Sequence, residues 1–202
     1  KAITDLFVLK SKIQFNEVIS NDWVSYPFSL KMPEFILQIR EVFNAKLTVL
    51  FHDHYALCPS YTLLNDKGEF CDLPEANVCQ NCLPANVNRT PLEVTDIVSW
   101  RRAWSELLKQ AERVIFFSES SKELVGRKYA LRDEQVVVQP HEYVPVFEDR
   151  YYADFSKPLS IGVIGTINYH KGSEMVIDVA KTLSEKYPEA QLVVIGDLVG
   201  AP

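Results

Sequence analysis

Residues 46–59 read KLTVLFHDHYALCP, and the first six of them set the architecture of the chain. Lys46 to Phe51 is a short run rich in residues that favour β-strands, and it stops abruptly at the polar triplet 52–54. A buried strand that ends on polar side chains brings them to the edge of a sheet. The stretch therefore predicts a strand whose carboxyl end is a place to look for function.

The segments on either side of this strand alternate between helical and strand patterns. We predict helices at Pro33–Phe43 and Thr95–Ala111 and strands at Arg113–Phe117 and Gln135–Val138. Val98 is expected on the buried face of the second helix. A β, helix, β alternation implies right-handed crossovers, so the predicted fold class is α/β with a mostly parallel sheet.

A third helix is expected after the strand at 113–117. Ser120 followed by Glu123 fits a capping box, in which each side chain bonds the other residue's free backbone N–H at a helix start. This pattern predicts that the helix begins at Ser120.

A second domain is predicted near the end of the chain. Residues 139–158 carry three prolines, mixed charge and no clear period, which is typical of a connector. We therefore divide the chain into a first domain at 1–140, a linker at 141–158 and a second domain at 159–202. The second domain contains one predicted βαβ unit, with strands Leu159–Gly165 and Gln191–Gly196 and a helix Gly172–Tyr187 that packs Tyr187 on its buried face.

Composition excludes several classes of function. The 202 residues carry a net charge of -6 with no run of Lys or Arg, which argues against nucleic acid as a partner. No apolar stretch approaches the roughly 20 residues needed to cross a bilayer, and the first ten residues lack the order of a signal peptide. We expect a cytoplasmic protein. The chain also begins and ends inside patterned sequence, so we expect a piece truncated at both ends.

The strongest local signal is a group of four cysteines in the segment 55–91, which shows no sustained period and is predicted to be a loop without regular structure. The four are Cys58, Cys71, Cys79 and Cys82. Four thiolates can form a closed tetrahedral zinc site with no open position for catalysis. Two disulfides, an iron-sulfur cluster or unligated thiols are the alternatives, although four cysteines without a secretion signal favour reduced thiols.

Two further places carry candidate chemistry. His52 follows a predicted strand, where it could donate to a sugar hydroxyl with Asp53 fixing its tautomer. The His-Asp-His triplet at 52–54 could equally be an ordinary satisfied loop cluster or a set of metal ligands. The turn at 162–172 contains Gly165 and leads to a helix start at which a diphosphate could rest, with Lys171 as a nearby charge. Lys171 could equally be a solvated residue of a helix start.

Several motifs together resemble a known enzyme family. They are HDHYALCP at 52–59, the later cysteines, FFSESSKELV at 116–125, VVVQPHE at 136–142 and IGVIGTINYHKG at 161–172. The set is similar to retaining glycosyltransferases of the GT-B type that include polysaccharide- and lipopolysaccharide-building enzymes, in a branch with a cysteine-rich insert after the His-Asp motif. The resemblance implies two Rossmann-like domains facing each other across a cleft.

The resemblance also implies roles for individual residues. His52 matches a catalytic histidine that contacts the donor sugar, and Asp53, Gly165, Thr166 and Lys171 fall at substrate-binding positions. Many relatives carry Arg where this chain has Thr166.

The implied hexosyltransferase activity belongs to the longer protein, and we expect the piece of 202 residues to be inactive by itself. The implied partners are a nucleotide-sugar donor and a glycan or lipid-linked acceptor, with peripheral membrane association of the longer protein. A structural zinc ion and no catalytic metal are expected. The competing hypotheses are a non-catalytic interaction module that binds metal through its four cysteines on a Rossmann-like scaffold, and a nucleotide-sugar epimerase.

Overall fold

A computed structural model describes residues 10, 12–24, 26, 30–90, 96–142, 154 and 156–199. The chain divides into two compact units, Lys1–Glu142 and Tyr143–Pro202. Each unit has its own parallel sheet. Most of the predicted linker lies outside the described residues. The protein is therefore an α/β protein built on parallel sheets, as the alternation of patterns predicted.

The first unit is organised around a parallel sheet of four strands. They are β1 (Glu17–Ser20), β2 (Lys46–Phe51), β3 (Arg113–Phe116) and β4 (Val136–Val138), and they lie side by side in that order. The predictions for β2, β3 and β4 are confirmed to within a residue at each end. β1 was not predicted, because four residues with one polar end give almost no periodic signal.

The α-helices whose bounds fall within the described residues of this unit are α1 (Met32–Phe43), α2 (Ala76–Ala85), α3 (Ile97–Gln110) and α4 (Glu119–Gly126). In α1, Pro33 occupies the first turn, where its missing N–H costs nothing, and Asn44 ends the helix in the left-handed conformation with φ 51. In α3, the Asp96 carboxylate caps the start by accepting the N–H groups of Val98 and Ser99. The predicted start at Thr95 lies outside the described residues.

The core forms between β2 and one face of α3. Leu47, Val49 and Phe51 of the strand are at most 4% exposed, and Trp100 and Leu107 of the helix are similarly buried. These side chains form one continuous apolar cluster. The site described below therefore rests on a rigid support.

The cysteine-containing segment is more regular than its sequence predicted. It holds the helix α2 and a short antiparallel bridge between Leu64 and Phe70, and it buries Leu57 and Leu63 completely in the core. The expectation of an irregular loop was wrong here. Its apolar residues pack against distant elements, so their spacing along the chain carries no local period.

Two local predictions in the helices were also wrong. Val98 is 42% exposed, because the buried stripe of α3 begins at Ile97 and continues through Trp100 and Trp104. The cap of α4 is Ser118 and not Ser120, since the Ser118 hydroxyl accepts the Ser121 N–H at 3.1 Å. Both errors come from choosing between neighbouring residues of similar chemistry.

The second unit contains the predicted βαβ arrangement. Strands β5 (Ser160–Ile164) and β6 (Gln191–Ile195) pair in parallel, and α5 (Ser173–Lys186) connects them. A 3-10 turn at Tyr169–Lys171 precedes α5. Tyr187 is 60% exposed and so does not pack on the helix face as predicted, because it is the residue that ends α5.

Candidate functional site

A small pocket opens at the carboxyl ends of β1 and β2. It is lined in part by Asp22, Trp23, His52, Asp53 and Tyr55, which follow the last residues of the two strands. Ligands in open α/β sheets bind beyond the carboxyl ends of the strands. The structure therefore brings the two residues predicted from the His-Asp motif together with Asp22, which the sequence analysis had not noticed.

His52 and Asp53 form a contact within this pocket. The His52 Nε2 atom lies 3.4 Å from Asp53 Oδ2, while Asp53 Oδ1 accepts the backbone N–H of Tyr55 at 2.8 Å. Burial raises the pKa of Asp53, opposed by the Tyr55 N–H and by the charge of His52, while the Asp22 carboxylate raises it further. The Asp53 side chain is thus held by the backbone and can orient the imidazole of His52.

His54 differs from its neighbour in being turned inward. Burial lowers its pKa below the ordinary value, so the neutral imidazole is favoured. Its Nδ1 atom is buried and has no hydrogen-bond partner within the part of the chain that the structure describes. The Asp53 carboxylate opposes this effect of burial on the pKa of His54, so the third residue of the triplet still interacts with Asp53.

The backbone after the His-Asp pair is held by three side chains from distant elements. The successive carbonyls of residues 55–57 accept bonds from Trp100 Nε1 at 2.9 Å, from the Tyr129 hydroxyl at 2.6 Å and from Arg101 Nε at 3.0 Å. Buried carbonyls need such donors once water is removed. These three residues fix the position of the site, and no local pattern in the sequence pointed to them.

All four predicted metal-ligand cysteines line one pocket, of about 330 Å³. All four are free thiols, so the alternative of two disulfides is not realised in this structure. Cys79 and Cys82 lie one turn apart on α2, which places both on the same side of the helix. The tertiary structure therefore collects four residues that are spread over 25 positions of the sequence, counting Cys58 and Cys82 themselves.

The surroundings of the sulfur atoms fit a thiolate-bound metal. The backbone N–H of Ser60 favours ionised Cys58, and that of Leu73 favours ionised Cys71. Asn86 Nδ2 lies 3.5 Å from Cys82 Sγ, and Arg101 Nη2 lies 3.7 Å from Cys79 Sγ. Donors directed at each sulfur are the outer-shell support that metal ligands need.

The thiols are not drawn into a closed arrangement. Within the described residues, no three of the cysteine sulfurs come within 4.8 Å of one another. Four sulfurs about 2.3 Å from one zinc ion would be about 3.8 Å apart. The donor set fits zinc, and binding would require the sulfurs to move inward.

Burial makes the thiols of Cys58, Cys71 and Cys82 difficult to ionise. It raises the pKa of Cys58 to about 12, with repulsion from Cys71 and Cys79 adding to the effect. The pKa values of Cys71 and Cys82 are also raised, again chiefly by burial. Four thiolates could share this pocket only if a cation compensated their charge.

We expect the reduced, metal-free chain to lose stability as the pH rises above 9.0, the ordinary pKa of the Cys58 thiol. Above that pH the unfolded chain releases the proton while the folded chain retains it up to about 12. The unfolded state then binds fewer protons, so the free energy of unfolding falls by about 1.4 kcal/mol per pH unit for this group.

Urea unfolding at a series of alkaline pH values, with chelator and reductant present, measures this slope. The Cys58→Ser variant serves as the control. It removes the proton of this thiol, so the fall in the free energy of unfolding with pH should be less steep by about 1.4 kcal/mol per pH unit. An identical slope in the wild type and the variant would contradict the prediction that the Cys58 thiol causes the loss of stability.

The predicted phosphate-binding residues lie at the carboxyl end of β5 in the second unit. Gly165 has φ +118 and Gly172 has φ +79, and Gly172 is the residue that precedes α5. Thr166 and Lys171 are exposed in the same connection. The N-terminus of a 14-residue helix, a glycine turn and a lysine therefore occur within eight residues of chain, from Gly165 to Gly172.

Gly196 is a further glycine of this region that the sequence analysis did not single out. It has φ +135, and a Cβ at this position would overlap the carbonyl oxygen of Gly165. Glycine at position 196 therefore allows the backbones at the ends of the two strands to lie in close contact.

Together these features define an α/β protein with parallel, Rossmann-like sheets and polar side chains at the carboxyl ends of its strands. No family model matches the chain, and no curated protein matches it. In the part of the chain that the structure describes, the helices are all too short or too polar to cross a bilayer.

Proposed function

We propose that the protein is a glycosyltransferase of the GT-B type, which transfers a sugar from a nucleotide-sugar donor to a glycan or lipid-linked acceptor with retention of configuration. The observation that carries the proposal is the His52 and Asp53 pair. It lies at the carboxyl end of a central parallel strand and beside an aromatic residue, Trp23. Aromatic faces together with polar hydrogen-bonding groups suit a sugar ring.

The second unit supports the same proposal. The helix α5 begins directly after Lys171 and Gly172, so its backbone N–H groups and the lysine charge lie in one connection. Helix N-termini favour negatively charged oxygens, and an ammonium group adds a point charge. A nucleoside diphosphate is the ligand that this combination suits.

The proposed reaction follows from these roles. The bond between the sugar C1 and the diphosphate oxygen breaks, and a bond from C1 to the acceptor oxygen forms on the same face. The acceptor proton passes to the departing diphosphate. For this reaction the first unit offers His52, oriented by Asp53, as a hydrogen-bond donor to sugar hydroxyls, and the second unit offers Lys171 and the N-terminus of α5 to stabilise negative charge on a diphosphate.

The test is release of nucleoside diphosphate by the full-length protein from a panel of nucleotide sugars, measured with and without glycan and lipid-linked acceptors. We expect release with one donor, stimulated by one acceptor class, and a product whose anomeric configuration matches that of the donor. A product of opposite configuration would contradict retention. If no nucleotide sugar bound and none released its nucleoside diphosphate, the proposal of a glycosyltransferase would be contradicted.

A second candidate function rests on the cysteines. All four line one pocket and have donors beside their sulfurs, which supports a metal-binding interaction module without turnover. In that case zinc binding would persist while no donor sugar binds. Zinc and transfer are also compatible, because none of the residues that line the cysteine pocket lines the pocket of His52.

A further inference from the structure

Three potential metal ligands converge at the carboxyl ends of β1 and β2. One ligand atom from each of Asp22, His52 and Asp53 lies within 4.8 Å of the other two. The residues come from two strands that pair in parallel, with Ser20 opposite Val49, so Asp22 and His52 each follow a neighbouring strand. The convergence thus depends on strand pairing and not on sequence proximity alone.

In each aspartate, one carboxylate oxygen accepts a backbone N–H and so fixes the side chain. The second oxygen is available to a metal ion. Asp22 Oδ1 accepts the Val24 N–H at 3.1 Å, and Asp53 Oδ1 accepts the Tyr55 N–H at 2.8 Å. Asp53 Oδ2 lies near His52 Nε2. The arrangement places two carboxylates beside one imidazole, and either a protonated imidazole or a bound cation would balance their charge.

An independent observation points to a missing ligand in the same pocket. Trp104 lines this pocket and is 2% exposed, yet its Nε1 donor has no partner among the described residues. The Nε1 atoms of Trp23 and Trp100 both donate to protein oxygens. A buried donor without an acceptor is costly, so a bound acceptor is expected.

The size of the cavity limits what that acceptor is. Its volume is about 20 Å³. A single water needs roughly 10–15 Å³, so the enclosed space fits an ion with one water and is too small for a sugar ring. A sugar would instead bind over the mouth of the pocket, where His52 is exposed.

We infer that Asp22, His52 and Asp53 form a binding site for a divalent cation, with the Trp104 N–H donating to a water bound to that ion. One imidazole and two carboxylates suit Mn²⁺, and Zn²⁺ or Fe²⁺ can use the same ligands. Three protein ligands leave open positions for a water and for a substrate oxygen. This inference goes beyond the proposed function, which requires no metal.

The test uses Mn²⁺ as the probe, since it prefers oxygen and nitrogen ligands and leaves the thiol pocket out of the experiment. The reduced 202-residue chain, freed of metal by chelation, is titrated with Mn²⁺ while electron paramagnetic resonance reports the free ion. We expect one saturable site. Asp22→Asn and Asp53→Asn should each weaken binding at least about 10-fold, and Trp104→Phe should weaken it about 3-fold or more.

A control variant separates the site from other carboxylates. Asp66→Asn alters a carboxylate that lines the cysteine pocket, so it should bind Mn²⁺ as the wild type does. Circular dichroism checks that each variant folds. Asp22 is exposed, so its substitution keeps the test valid if Asp53→Asn proves unstable.

Two results would overturn the inference. One is the absence of saturable Mn²⁺ binding by the wild type. The other is equal binding by Asp22→Asn and the wild type, which would show that Asp22 does not bind the ion. Neither result depends on a sugar donor, so the test does not stand or fall with the proposed glycosyl transfer.

Discussion

Zinc added to the reduced chain should fill the cysteine pocket with about one tightly bound ion per molecule, and Cys79→Ser or Cys82→Ser should abolish that tight binding. Both residues lie on α2 and line the pocket with Cys58 and Cys71. A structural zinc site contributes its binding energy to folding. If about 5 kcal/mol of that energy is lost, the thermal midpoint falls by about 10–20 °C.

Elemental analysis, a free-thiol count and thermal unfolding with and without chelator measure this effect. Asn81→Ser is the matched control, because it introduces serine on the same helix at an exposed position and leaves all four thiols in place. It should retain zinc and the wild-type midpoint. Because protons compete for the buried thiols, zinc affinity should fall as the pH is lowered.

Other outcomes would separate the alternatives. Iron with acid-labile sulfide would indicate an iron-sulfur cluster on the same four ligands. Four freely titrating thiols, with a thermal midpoint that neither zinc nor chelator changes, would contradict a metal site. The segment around α2 would then be stabilised by its buried leucines alone.

The second large effect is expected for His52→Ala, which should lower kcat/KM of the proposed transfer by about 100-fold or more through kcat. The imidazole is oriented by Asp53, so its loss removes an interaction that matters most when the donor bond is breaking. Its side chain is 36% exposed and packs little, so the thermal midpoint should change by only a few degrees, about what 1 kcal/mol produces.

Initial rates across donor concentrations separate kcat from KM, and thermal unfolding of the same samples reports stability. His52→Gln is the isosteric comparison, because its amide N–H can replace part of the donation and should recover some activity. A loss of stability as large as the loss of activity would show that His52 is structural. A change confined to KM would assign it to simple donor binding.

The sequence predicted elements where the period is local and strong. β2, β3, α1 and α3 were recognised from hydrophobic spacing alone, because a helix or strand buried on one side repeats its apolar residues at a fixed interval. β1 is too short for such a signal. The helix α2 was missed because its apolar residues are few and it contains Pro84.

The candidate site was predicted only in part. His52 and Asp53 were identified because they follow a recognisable strand, and the four cysteines because of their chemistry. Asp22 was missed, since its proximity to His52 depends on β1 pairing with β2. Trp104 looked like an ordinary core residue, and its unpaired donor is visible only when every neighbouring acceptor among the described residues is located.

By itself the sequence determined the α/β class, the positions of the regular elements with strong periods and the chemical types available at two polar turns. Only the tertiary structure decided which of these groups meet. Trp100 and Tyr129 donate to carbonyls 45 and 73 positions away, and the cysteines converge from three separate stretches. Periodicity reflects local burial, whereas convergence depends on strand order and long-range packing, which no short stretch of sequence encodes.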